Sequence, residues 1–272
     1  MKIQKKLFVV LLSFIMAGAW SQTSISANAQ KYVDSFMNLR MELTINKEKK
    51  DAVAQLNKYK SSNPYTSFTN QEKLVIESFY LLEKYNYTWE EKGTEEALKK
   101  ELISQADKNE KFIKANKNNV CDWLYVVTAD IYSCYMSYSP MSGALKYGMT
   151  VKNYYLECLK INPKNSYCLT HMGQWYYWAP GINGGSEKKA LQSFKDAVTY
   201  ARNNAEKFYA QIFLSQMYYE KKDKVTAKSM LNIDKNYCTK SEYIKELEGY
   251  NAQGYSLFTA SKKKAEDEKR VD

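Results

Sequence analysis

The stretch from Tyr167 to Asn236, YCLTHMGQWYYWAPGINGGSEKKALQSFKDAVTYARNNAEKFYAQIFLSQMYYEKKDKVTAKSMLNIDKN, shows the same pair of helical faces twice. A third copy stands just upstream. In each copy a small residue is followed three positions later by tyrosine: Ala129 and Tyr132, Gly173 and Tyr176, Ser215 and Tyr218, spaced 44 and then 42 residues apart. A second periodic segment follows each, with Val151 and Tyr155, Ala190 and Phe194, and Ala227 and Leu231 in matching positions. Apolar residues at three- and four-residue intervals put one face of each segment against a neighbour, so every copy reads as two helices joined by a turn. The small residue on the first helix lets the second approach closely, while large residues on either side fill the remaining space. Glycine inside a helix costs about 0.5 to 1 kcal/mol relative to alanine, so Gly173 marks a crowded crossing.

The order of these residues resembles, in degenerate form, the tetratricopeptide pattern of a small residue and tyrosine, then alanine and phenylalanine, then proline. The best copy reads Leu169, Met172, Gly173 and Tyr176, then Ala190, Phe194 and Ala197. The last keeps Leu214, Ser215, Tyr218, Ala227 and Leu231; the first keeps Tyr125, Ala129, Tyr132, Val151, Tyr155 and the closing Pro163. The expected fold is all-α, an α-solenoid of stacked antiparallel helix pairs over residues 119–260, ending in a capping helix. Four prolines and ten glycines in 272 residues leave few breakers, and no segment alternates like a strand. Residues 30–118 also read as helical, with Leu74, Ser78, Leu81 and Leu82 on one face and Leu98, Leu102, Ile103 and Ala106 on another. Ser78 stands 51 residues before Ala129, outside the later period, so this region is either a degenerate repeat or a cap. The almost wholly charged tail, residues 261–272, is expected to fray from the last helix.

The first 29 residues read as a signal peptide. Lys2, Lys5 and Lys6 precede an apolar run from Leu7 to Trp20, and Ala27-Asn28-Ala29 offers a cleavage site before Gln30, with a cut after Ser21 as the alternative. The run is short for a bilayer span of about 20 residues, so the expectation is periplasmic or secreted. Removing residues 1–29 takes away three lysines and no acid, leaving +7 of the formal +10. In an exported protein that charge points to an anionic lipid, cell-wall polymer or acidic partner and not to nucleic acid. The basic residues are dispersed among acids, as a solvated helix face requires.

Five cysteines lie beyond the leader: Cys121, Cys134, Cys158, Cys168 and Cys238. Cys158 and Cys168 flank the Asn162-Pro163-Lys164-Asn165 turn symmetrically, so either they form a disulfide across two antiparallel helices or they fill small gaps as buried thiols. No cysteine pair has zinc or redox spacing, and none stands at a cleavage site to carry a lipid. No nucleotide-binding or metalloprotease motif is present, so no cofactor and no metal is expected. His171, the only histidine, sits inside the first helix of the best copy with no motif marking a nucleophile or carboxylate partner, and reads as a packed helix residue. No catalytic residue is assigned.

One loop breaks the repeat: Trp175-Tyr176-Tyr177-Trp178-Ala179-Pro180-Gly181-Ile182-Asn183-Gly184-Gly185-Ser186. Pro180 stops the helix, the glycines open unusual conformations, and Ser186 can cap the next helix. The bland reading is a wide turn with its aromatics in the core. The sharper one is a ligand or partner edge made by Trp175, Tyr176, Tyr177, Trp178, Asn183, Gly184, Gly185 and Ser186, with backbone N–H groups near Ser186 open to an anion. The run Ala179 to Ser186, with Lys188, Ala190, Phe194 and Ala197, resembles the Gly-Gly-Ser segment of the T-component of TRAP transporters, periplasmic proteins of tetratricopeptide-like helices. The similarity continues weakly through Tyr209-Ala210, Asn251-Ala252 and the helix to Phe258. The resemblance implies an accessory of a solute transport system that self-associates as a homo-oligomer, binds a periplasmic solute-binding protein, and offers an apolar passage to a small hydrophobic ligand. Such proteins are often lipid-anchored, and the N-terminal cysteine for that is missing here. The alternative is a general protein-interaction scaffold of the cell envelope, which the 24 tyrosines suit because tyrosine joins apolar area to a polar tip.

Overall fold

The computed structural model describes residues 24–46, 49–88, 93–138, 140–234 and 242–267. Within them the chain is all-α, with no strand and with adjacent helices packed in pairs. The three copies of the repeat are three helix pairs. They are α5 (Asp122–Met136) with α6 (Pro140–Ile161), α7 (Ser166–Trp178) with α8 (Glu187–Tyr200), and α9 (Asn204–Glu220) with α10 (Lys224–Asp234). The repeat positions Ala129, Val151, Tyr155, Ala190, Phe194, Ser215, Ala227 and Leu231 are all buried, as is Tyr132, while Tyr176 and Tyr218 are half-buried. A Cβ at Gly173 would lie 2.6 Å from the Phe194 ring, closer than real contacts allow. The α7–α8 crossing is tight because that position carries no side chain.

Upstream, α1 (Ala27–Asn46), α2 (Lys49–Ser62), α3 (Asn70–Thr88) and α4 (Glu95–Ala115) extend the stack. Leu98, Leu102 and Ala106 are buried on α4, as their spacing predicts. Ser78 takes the small-residue place on α3 and joins a buried polar chain. Asn109 on α4 donates to Ser78 Oγ at 2.9 Å and to Thr128 Oγ1 on α5 at 3.1 Å, while Gln105 donates to Asn109 Oδ1 at 3.0 Å. With each buried amide bonded, the chain fixes the register of three helices without leaving a polar group stranded.

The first helix does more than begin the stack, because α1 also packs against α9 and against α11 (Glu242–Ala252). One face of α1 places Tyr32 and Phe36 with Leu56 of α2 and Ile76 of α3; another places Val33 and Met37 in the main core. Polar contacts follow its length. The Ser26 N–H donates to Glu72 at 2.7 Å, Trp123 Nε1 donates to Gln30 at 2.9 Å, and Arg202 reaches Asp34 at 3.3 Å. The expected leader boundary between residues 29 and 30 falls inside this helix, where Ala29 is buried. At the other end Phe258 of α12 (Leu257–Asp267) is buried among Tyr177, Phe194 and Phe213. The charged segment continues α12 as helix through Asp267. No helix of the described residues is long and apolar enough to cross a membrane.

Candidate functional site

The first helices of the successive pairs, α1, α3, α5, α7 and α9, enclose between them a partly open cavity of about 270 Å³. Each contributes polar side chains at one level: Arg40 from α1, Asn86 from α3, Asp130 from α5, His171 and Gln174 from α7, and Glu206 from α9. Met37, Leu82, Tyr167, Tyr209 and Phe213 supply apolar wall between them.

Asp130 organises the floor of this cavity. One of its oxygens accepts from Tyr155 at 2.7 Å and faces His171 Nδ1 at 2.9 Å, and the other accepts from Tyr167 at 2.8 Å. A buried carboxylate needs such donors, since leaving it unsatisfied costs several kcal/mol. Burial, and next the negative charge of Asp130, push the Tyr155 and Tyr167 phenols well above their ordinary range, so both stay protonated and both donate. The Tyr167 ring stacks on His171 at 4.3 Å and fixes the imidazole plane. With Nδ1 committed to Asp130, the nitrogen left is Nε2. His171 is the packed helix residue its place in the sequence suggests, and it also has a carboxylate partner that no motif marks. Asp130 comes from the preceding repeat, and no local motif records a contact across 41 residues of sequence.

Two ion pairs stand beside this centre. Arg202 donates from Nε to Glu206 at 3.1 Å and from its backbone N–H at 2.7 Å, so Glu206 is fully bonded and buried. Arg40 is different. Its closest carboxylate, Glu83, lies 3.6 Å away, beyond hydrogen-bond length, and its guanidinium sits 4.9 Å over the Tyr209 ring. Burial pushes the Glu83 carboxyl above the usual carboxylate range, although Arg40 pulls it down. Burial opposes the charge of Arg40 too, but Glu83 and the phenols of Tyr209, Tyr167 and Tyr87 more than offset it, so Arg40 stays cationic.

The residues singled out around the Gly-Gly-Ser turn lie away from this cavity and do not form one surface. Trp175 is half-buried and donates from Nε1 to the Gly148 carbonyl at 3.1 Å; Tyr176 packs on the core, and Tyr177 stacks on Phe258 at 4.0 Å. Trp178 and Ile182 point outward, the latter 95% exposed. Lys152 of α6 closes the turn, reaching the Asn183 carbonyl at 3.0 Å. The backbone N–H groups of Gly184, Gly185 and Ser186 donate to the carbonyls of Gly181, Pro180 and Tyr176, so these three donors are spent inside the turn. A Cβ at Gly185 would stand 1.7 Å from the Ala179 oxygen, which is why this position is glycine. Ser186 caps α8 by accepting from the Lys189 N–H.

Of the two alternatives for Cys158 and Cys168, the structure has the buried thiols, since both residues are free. They are buried on neighbouring helices, and the Cys168 thiol donates to the Tyr155 carbonyl at 3.5 Å. Burial raises both thiols above their ordinary range, and it pushes Cys121 up to about 12. Thiols held in this way are poor nucleophiles and behave as small core residues. Cys134 is free as well, and Cys238 lies outside the described residues. No group of three His, Cys, Asp or Glu among the described residues is placed to hold a metal ion. No protein-family model matches this chain, and no curated protein matches it either.

Proposed function

We propose that this is an exported, non-catalytic helical-repeat protein that holds a solute or partner against the inner face of its first helices. The observation that carries the reading is the cavity itself. Five helices from five pairs each bring a polar side chain to its wall, and burying Asp130 and Glu206 there costs stability that a core of leucines would not cost. Sites of this kind, apolar walls with a few convergent polar groups, are where small ligands bind. The lining suits a polar ligand better than the apolar passage that the transporter resemblance implies. Export fits a cut after Ser21 better than one after Ala29, since the earlier cut leaves α1 whole with Ala29 in its core contact.

The role falls between an accessory of a solute transport system and a general interaction scaffold of the envelope. The first is favoured by the closed turn at Gly184-Gly185-Ser186, which presents Trp178 and Ile182 outward for a protein partner or a second copy. Cross-linking in intact cells, followed by mass spectrometry of what is recovered, separates them. Recovery of a solute-binding protein with self-cross-links supports the transport role. Recovery of unrelated envelope proteins supports the scaffold, and a chain that stays in the cytoplasm overturns both.

A further inference from the structure

We infer that the cavity binds a small organic acid whose carboxylate is taken by Arg40 and whose neighbouring hydroxyl or ammonium group donates to Nε2 of His171. The inference deepens the binding reading above and rests on it.

The argument comes from which groups in the wall still have bonding capacity. Asp130 is satisfied by Tyr155, Tyr167 and His171, and Glu206 by Arg202. Neither attracts a cation strongly. Arg40 carries five N–H donors, and among the described residues its closest charged neighbour is Glu83 at 3.6 Å, too far for a hydrogen bond. A guanidinium in that condition at a cavity wall matches a carboxylate, which it binds through two parallel hydrogen bonds. The incoming carboxylate displaces a long contact instead of a made bond.

The second point of recognition is an acceptor. Nδ1 of His171 is held by Asp130 and the ring by Tyr167, so Nε2 is presented in a fixed direction. An α-hydroxy or α-amino acid offers a carboxylate and a donor on adjacent carbons. Tyr209 and Phe213 flank the space and suit an apolar side chain. The volume of about 270 Å³ is below the roughly 300 Å³ at which drug-sized sites begin, so the ligand is small.

The test is isothermal titration of the purified protein with lactate, mandelate and phenylalanine, each beside its amide, and with propionate as the acid lacking a donor. At least one of the three acids is expected to bind with a Kd below about 1 mM, its amide about tenfold more weakly or worse. Arg40→Gln is expected to erase the preference for acid over amide, while Arg40→Lys keeps part of it. His171→Gln, whose amide can still donate to Asp130, is expected to narrow the gap between lactate and propionate when measured at a temperature where the variant is folded. The inference is overturned if none of the acids binds, if acid and amide bind alike, or if Arg40→Gln retains the preference. Should Arg40→Gln not fold, the comparison of acid with amide on the unmodified protein still decides. An envelope partner recovered by cross-linking without any acid binding would sink this inference and leave the broader reading standing; acid binding without a partner would do the reverse to the scaffold role.

Discussion

The two halves of α7 are both aromatic, and they do opposite things. Its first half sends Tyr167, Thr170, His171 and Gln174 to the cavity. Its second half, Trp175 to Trp178, belongs to the turn that leads into α8. At the cavity end, side chains meet partners from other repeats: Tyr167 and His171 find Asp130, one repeat earlier. At the turn end the backbone N–H groups of Gly184, Gly185 and Ser186 meet carbonyls within ten residues, as Ser186 N–H does with Tyr176 O, while Trp175 and the Asn183 carbonyl reach Gly148 and Lys152 on the neighbouring helix. A segment that satisfies itself can be a good corner and a poor receptor. A segment whose polar groups depend on distant helices has capacity that a ligand can share.

The largest effect expected from breaking this contrast is at Asp130. Asp130→Ala leaves two buried phenols and an imidazole without their acceptor, and each stranded donor costs about 1 to 3 kcal/mol. A loss of about 4 kcal/mol is expected in urea unfolding, since the remaining groups relax in part. A loss under about 1 kcal/mol would mean that the three donors find other partners and that His171 is not held by the carboxylate.

Gly185→Ala is the matching test at the turn. The new methyl would meet a backbone oxygen, which cannot rotate aside, so the 180–185 turn must open. About 3 kcal/mol of destabilisation is expected from overpacking and lost turn bonds. If the two ends of α7 are independent, binding at the cavity is unchanged in this variant at a temperature where it is folded. A weakened site would show that the turn positions the cavity after all.

A smaller effect separates the two readings of Ser186. As a cap it supplies one hydrogen bond to the Lys189 N–H, so Ser186→Ala should cost about 1 kcal/mol, and Ser186→Gly only a few tenths. Both variants should retain whatever the protein binds. Loss of binding with unchanged melting temperature would restore the turn as a ligand edge.

The same contrast explains what could be read from the chain. The helix pairs were legible because packing repeats at fixed spacing: Ala129, Gly173 and Ser215 recur, and every one is buried. The turn was legible because proline and paired glycines act locally. The cavity was not, since Arg40, Asn86, Asp130, His171 and Glu206 occupy unrelated places in their helices and have no shared spacing. The packing of α1 against α9 and α11 brings Arg40 into the same cavity wall as His171. The sole available hint was one histidine in a helix rich in tyrosine, eight residues past the Pro163 turn. A thiol pair beside that turn was the stronger local signal, and the two thiols are buried and free.

The smallest effect concerns what keeps α1 across the cavity. Glu72 opens α3 as part of a capping box with Thr69, whose N–H and hydroxyl both donate to it at 2.9 Å, and its other oxygen takes the Ser26 N–H at the start of α1. Burial alone would raise this carboxyl, but the bonds from Ser26 and Thr69 prevail and hold it below its usual range. A depressed folded pKa means that the ionised form stabilises the fold. The contribution is present above the unfolded value of about 4.3 and disappears as pH falls through the folded value. Glu72→Gln should therefore be less stable than the unmodified protein at neutral pH, and the two should converge in acid, other carboxylates cancelling in the difference. A difference that stays constant from about pH 7 to about pH 3 would show that ionisation of Glu72 does not hold α1. Closure of the cavity would then rest on Arg202 with Asp34 and on Trp123 with Gln30.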